Sequence, residues 1–187
     1  HMLVGRAAVR AGDDVLVIGA GSGVGSAAIQ VARLKGARVI ATASGPERLE
    51  HARALGAHEV IDHAREDIRT RARELTGQKG VEVVFEHVGG LVFEQAVGAL
   101  ARNGRLVTCG ATLGSEVKLD LNSLFGRHLS LMGSWMGRRS ELVEVLEHVR
   151  DGTLKPVVDR VLPLEQAAGA HRLIEARQHF GKVVLTP

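Results

Sequence analysis

A glycine cluster near the start of the chain carries the strongest chemical signal. The segment GAGSGVG, residues 19–25, lies between an apolar run and a helical stretch. Backbone N–H groups and a helix N-terminus bind diphosphates, and residues without side chains let that backbone approach closely. We therefore predict that a nucleotide diphosphate is bound by Gly21, Ser22, Gly23 and Val24.

The spacing of this loop departs from the GxGxxG pattern. In the register that ends at Gly25, Ala20 and Ser22 stand where the first two glycines would be, so the loop is AxxGxG. A turn that only joins a strand to a helix would also use glycine. The context of a strand before the loop and a helix after it favours phosphate binding.

The end of the second predicted strand indicates which nucleotide is preferred. A carboxylate about twenty residues after the glycines would bind the ribose diol of NAD, but the sequence TASG at 42–45 contains none. Ser44 could donate to a 2′-phosphate and Arg48 could supply charge, a contact that contributes about 1.5–3 kcal/mol. We predict NADP as the preferred cofactor. NAD is the alternative cofactor. In that case Arg48 would be a solvated helix residue and Glu47 would reach a ribose hydroxyl.

The elements around these residues alternate between apolar strands and amphipathic helices, which is typical of repeated βαβ units. Six predicted strands cover residues 14–19, 37–42, 59–61, 81–85, 104–109 and 129–133. Predicted helices cover 24–35, 46–55, 66–75, 93–100, 141–149 and 164–177. The pattern predicts an α/β Rossmann fold, a doubly wound six-stranded parallel sheet of order 3-2-1-4-5-6 over residues 1–152. Residues 153–187 form a tail with two further strands, 155–163 and 182–185.

Composition narrows the class of protein. The 187 residues suit one domain, and 45% of them are hydrophobic without any run long enough to span a bilayer. The 24 basic residues are scattered among 21 acidic ones, and four Phe and one Trp offer no stacking surface, so we expect no nucleic-acid partner. Cys109 is the single cysteine and no secretory leader opens the chain. We expect a soluble cytoplasmic protein with no membrane partner.

Several rival functions are weakened by missing residues. A short-chain reductase needs a catalytic tyrosine, and the chain has no Tyr. A methyltransferase would want an acidic residue after strand two. His51, His58 and His63 lack the tight spacing of metal ligands, so no metal site is predicted. A non-enzymatic module that binds NADP(H), or that serves only for dimerisation, remains compatible with every residue.

Six stretches of the sequence resemble the medium-chain dehydrogenase/reductase superfamily. They are GAGSGVGSAAIQVAR, VIATASGPERLEHARALGAHEVID, VVFEHVGG, GRLVTCGAT, LSLMGSWMG and the terminal FGKVVL. The AxxGxG loop and the acid-free second strand are closer to quinone oxidoreductases and bacterial zinc-type alcohol dehydrogenases than to NAD-dependent liver-type enzymes. The resemblance implies the NAD(P)-binding half of an oxidoreductase. Such enzymes transfer hydride between a nicotinamide and an alcohol, aldehyde, quinone or enone.

The resemblance also implies further cofactor contacts after strands four and five. By matching position, the loop after strand four would flank the ribose and adenine, and the loop after strand five would face the nicotinamide. Ligands of open α/β sheets lie beyond the carboxyl ends of strands, which agrees with this placement. A hydrogen-bonded strand-end histidine and a small buried cysteine are the alternatives for two of them. The residues are His87, Val88, Gly89, Cys109, Gly110, Ala111 and Thr112.

In the resembled family, the groups that polarise the substrate, zinc included, come from a small β-barrel domain that precedes the cofactor domain. We therefore predict no catalytic residue here and a fragment that binds cofactor without turnover. His1 and Met2 are either a cloning scar or part of a native helix, and residues 156–163 and 182–185 would return to the barrel. Residues 129–133 resemble the edge strand of a homodimer. Trp135 would lie near the nicotinamide pocket and subunit contact, or equally in the core.

Overall fold

A computed structural model describes all 187 residues of the chain. Its central feature is a six-stranded parallel sheet of order β3-β2-β1-β4-β5-β6, so the predicted Rossmann topology is confirmed. The strands are β1 (Asp14–Val17), β2 (Arg38–Ala43), β3 (Glu59–Asp62), β4 (Val81–Glu86), β5 (Leu100–Thr108) and β6 (Ser130–Gly133).

Helices cover both faces of the sheet. A π-helical turn (Met2–Arg6) precedes α1 (Gly23–Leu34), α2 (Pro46–Ala54), α3 (Ile68–Leu75), α4 (Gly90–Ala99), α5 (Leu121–Gly126) and α6 (Arg139–Arg150). Val15 and Val17 of β1 pack with α1 and α2, whereas Leu16 and Ile18 pack with α3 and α4. Burial on both faces explains why residues 15–18 are an unbroken apolar run.

The fifth strand begins earlier than predicted. Its pairing with β4 jumps from Val81–Leu100 to Val83–Arg105, which leaves an irregular stretch between them. Asn103 lies in that stretch with φ of 61°. The polar residues there resemble a turn in the sequence, and this is why the prediction of 104–109 missed the first part of β5 and placed Leu100 in the helix.

The tail forms a separate parallel pair of strands, β7 (Val158–Pro163) and β8 (Lys182–Thr186). Between them lie a 3₁₀ turn (Leu164–Gln166) and α7 (Ala167–Glu175), so the helix predicted over 164–177 is shorter at both ends. The tail reaches the glycine loop, where the Gly181 N–H donates to the Gly21 carbonyl over 2.8 Å.

Strand β6 is the outermost strand of the sheet, as the sequence predicts for residues 129–133. Trp135 follows it and is 85% exposed, so the alternative that placed this side chain in the core is wrong. Helix α6 buries none of its residues. None of the helices combines the length and the apolar character that crossing a bilayer requires.

Candidate functional site

The glycine loop is fastened to the neighbouring strand before it enters helix α1. The Gly19 N–H donates to Thr42 Oγ1 over 3.1 Å, and the Ala20 N–H donates to the Thr42 carbonyl over 2.8 Å. Gly19 has φ of 70°, a left-handed conformation that favours glycine. Two strands of the sheet therefore fix where the loop turns.

Ser22 caps the helix that follows. Its Oγ accepts the Gly25 N–H over 2.9 Å and donates to the Gly19 carbonyl over 2.9 Å. The N–H groups of Gly23 and Val24, at the first turn of α1, have no partner inside the helix. Free N–H groups and the positive end of a helix dipole are the features that anion binding requires, so the loop has the geometry that the sequence prediction needs.

Two cationic side chains from other elements lie over the loop. A Cβ on Gly21 would lie 3.5 Å from Arg48 Cδ, and a Cβ on Gly23 would lie 2.4 Å from Lys182 Cδ. Lys182 is absent from the sequence-predicted site. In the sequence, Lys182 belongs to the FGKVVL stretch, for which only a strand is predicted. Nothing in that stretch indicates contact with the glycine loop. Arg48 and Lys182 therefore bring positive charge to two sides of the glycine loop.

The end of β4 is organised by a fully buried carboxylate. Glu86 Oε1 accepts the N–H groups of Val88 and Gly89, the latter over 2.7 Å, and Oε2 accepts the Thr108 hydroxyl over 2.7 Å. Hydrogen bonds to a charged acceptor are strong, and these hold the loop after β4 against β5. Glu86 was also missed from the sequence, where a single Glu ending an apolar strand does not reveal its donors.

His87 links that loop to the glycine loop. Its Nε2 lies 3.1 Å from Ser22 Oγ. Ser22 Oγ thus lies within hydrogen-bond distance of both His87 Nε2 and the Gly19 carbonyl oxygen. A Cβ on Gly19 would lie 3.0 Å from the same nitrogen, so the ring covers the glycine backbone. His87 therefore has a hydrogen bond at the end of its strand, and the same residue also lines the cavity described below.

The loop after β5 packs against the loop after β4. A Cβ on Gly89 would lie 2.2 Å from the Gly114 carbonyl oxygen, and one on Gly110 would lie 2.7 Å from the His87 carbonyl oxygen. The Thr112 hydroxyl donates to that His87 carbonyl over 3.1 Å. Only residues without side chains permit these approaches, so the two loops form one rigid rim.

Cys109 lies at the start of the second loop, half-buried. Burial raises the pKa of its thiol, and the nearby Glu86 carboxylate raises it further. A thiol with a raised pKa stays protonated at neutral pH and is a poor nucleophile. Cys109 therefore behaves as a small apolar residue of the rim.

A cavity of about 450 Å³ opens at the carboxyl ends of β1, β2 and β4. Seven of the sequence-predicted site residues line it: Gly21, Ser22, Ser44, Arg48, His87, Val88 and Thr112. The other six are not part of its lining: Gly23 and Val24 begin α1, and Gly89, Cys109, Gly110 and Ala111 belong to the rim. The tail contributes Ile174, Arg177 and His179, none of which the sequence indicated.

The three histidines weighed as metal ligands have separate environments. His51 stacks edge to face on Phe180 with ring centroids 4.9 Å apart. His58 Nδ1 accepts the Val39 N–H over 2.8 Å, and His63 lines the cavity. Nowhere in the structure do three or more His, Cys, Asp or Glu side chains gather as metal ligands. The donors of this chain do not fit a zinc ion.

Comparison with known proteins places the fold and site in context. Residues 23–151 match the family described as zinc-binding dehydrogenase. A curated relative is 2-haloacrylate reductase of Burkholderia sp, 33% identical over 189 residues, which covers 96% of this chain and 57% of that protein. The chain spans about half the length of the curated relatives it matches.

Two solved structures extend the comparison. An NAD-dependent alcohol dehydrogenase is 50% identical with a TM-score of 0.94, and the match covers 100% of this chain and 54% of that one. Crotonyl-CoA carboxylase/reductase AntE, solved in complex with NADP, is 29% identical with a TM-score of 0.90 over 97% of this chain and 51% of its own. The sheet and tail described above therefore have close counterparts in larger proteins.

Proposed function

Because the chain belongs to the zinc-binding dehydrogenase family, we propose that its cavity binds a nicotinamide dinucleotide and prefers NADP to NAD. The chain is the NAD(P)-binding domain of an oxidoreductase. We place the diphosphate on the loop of Gly21, Ser22, Gly23 and Val24, with Lys182 beside it, and the 2′-phosphate at Ser44 and Arg48. The adenosine end then enters the cavity, and the nicotinamide end lies toward residues 109–112.

One observation carries the preference for NADP. The 18 residues that line the cavity include Arg48 and Arg177 but no Asp or Glu. A site for NAD would present a carboxylate to the ribose diol, whereas a 2′-phosphate needs cations and hydroxyl donors such as Ser44. One similar structure is NAD-dependent and another contains NADP, so the preference for NADP rests on the charges of this chain.

The residues of this chain bind and orient the cofactor. A bound nicotinamide supplies or accepts the hydride, and the protein contributes position and electrostatics. We propose that the groups that polarise the substrate are supplied outside these residues, and that the substrate is an alcohol, aldehyde, quinone or enone. The tail, residues 153–187, would lead from the glycine loop to that second half. The purified chain would then bind the dinucleotide without turning over these substrates.

The charge of Arg48 provides the direct test. We expect Arg48→Ala to weaken NADPH binding about 10- to 100-fold, because a charge-assisted hydrogen bond contributes about 1.5–3 kcal/mol. NADH binding should change little. Isothermal titration of both nucleotides measures the two affinities, and Arg53→Ala is the control because Arg53 is exposed on the same helix and pairs with Glu50. Equal weak binding of NADPH and NADH to the unaltered chain would refute the 2′-phosphate assignment.

We also propose that two copies pair through β6. This strand leaves one edge of the sheet unpaired, and an open edge readily pairs with another chain. Trp135 and Met136, 85% and 77% exposed, extend the same edge with apolar surface. Light scattering during gel filtration should give twice the mass of one chain, and Trp135→Arg should shift the population toward monomer. A single-chain mass at high protein concentration would contradict the pairing.

A further inference from the structure

The tail brings its own cation to the nucleotide cavity. Arg177 follows the end of α7, and it lines the cavity together with Arg48, which comes from α2. Neither guanidinium belongs to an ion pair in the structure. The residues that line this cavity include no Asp or Glu.

The backbone at Arg177 is unusual for an arginine. Its φ is 54°, and the N–H groups of Arg177 and Gln178 donate to the carbonyls of Ile174 and Leu173 over 3.0 and 2.9 Å. These bonds form a Schellman motif, in which the residue at this position is usually glycine because the left-handed conformation is strained for other residues. A strained residue that carries a charged group into a cavity suggests a functional role.

Two histidines lie with the guanidiniums. His63 lines the same cavity, and its pKa is lowered by partial burial and by the charges of Arg177 and Arg48, against the opposing effect of Asp62. Both guanidiniums are therefore close enough to act on one imidazole ring. His179, on the other side of Gln178 from Arg177, has a buried Nδ1 without a hydrogen-bond partner. The two guanidiniums thus lack an anionic partner, and His179 Nδ1 lacks a hydrogen-bond partner.

We propose that Arg177, with His63 and His179, forms the tail-side half of a 2′-phosphate site, so that the tail sets NADP specificity together with Ser44 and Arg48. The inference rests on the proposed dinucleotide site. A phosphate dianion offers three acceptor oxygens, enough for guanidiniums from both sides and an imidazole N–H. A nucleotide without the 2′-phosphate cannot contact both Arg177 on the tail side and Arg48 on the α2 side.

The test compares nucleotides that differ at the 2′ position. Arg177→Ala should weaken binding of NADPH and of adenosine 2′,5′-bisphosphate at least tenfold, while binding of NADH and of ADP changes less than twofold. Arg172→Ala is the matched control, because Arg172 is exposed on the same helix and does not line the cavity. We expect its affinities to equal those of the unaltered chain.

A second variant separates binding from folding. Arg177→Gly removes the guanidinium and relieves the backbone strain, so it should melt at the same or a higher temperature than the unaltered chain while losing the same tenfold NADPH affinity. If the unaltered chain binds no NADPH, the proposed function fails. If it binds NADPH and both Arg177 variants bind equally well, only this inference fails. Equal losses for NADPH and NADH would also overturn it, because Arg177 would then act on the part that both nucleotides share.

Discussion

Replacement of Gly25 by alanine is expected to destabilise the folded chain by roughly 3 kcal/mol, the upper end of the cost of overpacking. The added Cβ would lie 2.1 Å from the Gly19 carbonyl oxygen and 2.8 Å from its carbon, and both belong to backbone that the bonds to Thr42 hold in place. The loop would have to separate from the helix that it enters. We therefore also expect nucleotide binding to be lost.

Urea denaturation followed by circular dichroism measures the first effect, and nucleotide titration measures the second. Gly126→Ala is the matched control, because a Cβ on Gly126 would meet nothing within 4 Å and the residue ends helix α5. Its stability should be unchanged or slightly raised, since alanine favours a helix more than glycine does. A Gly25→Ala chain as stable as the unaltered one would show that the loop and α1 do not meet as described.

Replacement of Glu86 by alanine is expected to cost a similar amount, about 3 kcal/mol. The change leaves the buried N–H groups of Val88 and Gly89 without their acceptor, and each unsatisfied group costs about 1–3 kcal/mol. The loop after β4 would lose the bonds that hold it beside the cavity. We therefore expect weaker NADPH binding together with a lower urea midpoint.

Glu86→Gln is the informative partner variant. A glutamine keeps one oxygen for the two N–H groups and turns its NH₂ toward the Thr108 hydroxyl oxygen, so we expect a loss of only about 1 kcal/mol. It also removes the charge that helps to raise the pKa of Cys109, so the thiol should react faster with iodoacetamide at pH 8. Equal destabilisation by alanine and glutamine would mean that the carboxylate charge, rather than its hydrogen bonds, stabilises this loop.

The sheet was predictable because its strands are covered on both faces. Strands of this kind are mostly apolar, and β1, β2 and β4 stand out between glycines and amphipathic helices. The glycine loop and Arg48 were predictable for a related reason, since both lie within a short distance of strand ends that local pattern identifies. The short helix α5 and the irregular part of β5 were not predicted from the sequence, because the polar residues in both segments resemble turns.

The site residues that were not predicted from the sequence reach the site through contacts between distant parts of the chain. Lys182 and Arg177 lie near the glycine loop and Arg48 only because β8 and α7 fold back over the sheet, and no spacing in the sequence encodes that return. Glu86 was visible as a residue, but its role depends on three donors that only the folded loops bring to it. Local pattern identifies the phosphate loop, and tertiary folding supplies its counter-charges.

The hydrogen bond between Gly181 and Gly21 also bears on the order of folding. It joins residues that are far apart in the sequence, and closing so large a segment of chain is entropically costly until the intervening residues have folded. During synthesis the sheet can assemble while residue 181 is still inside the ribosome. The tail would therefore cover the phosphate loop only after the sheet has formed, and until then the nucleotide cavity would lack the residues that the tail contributes.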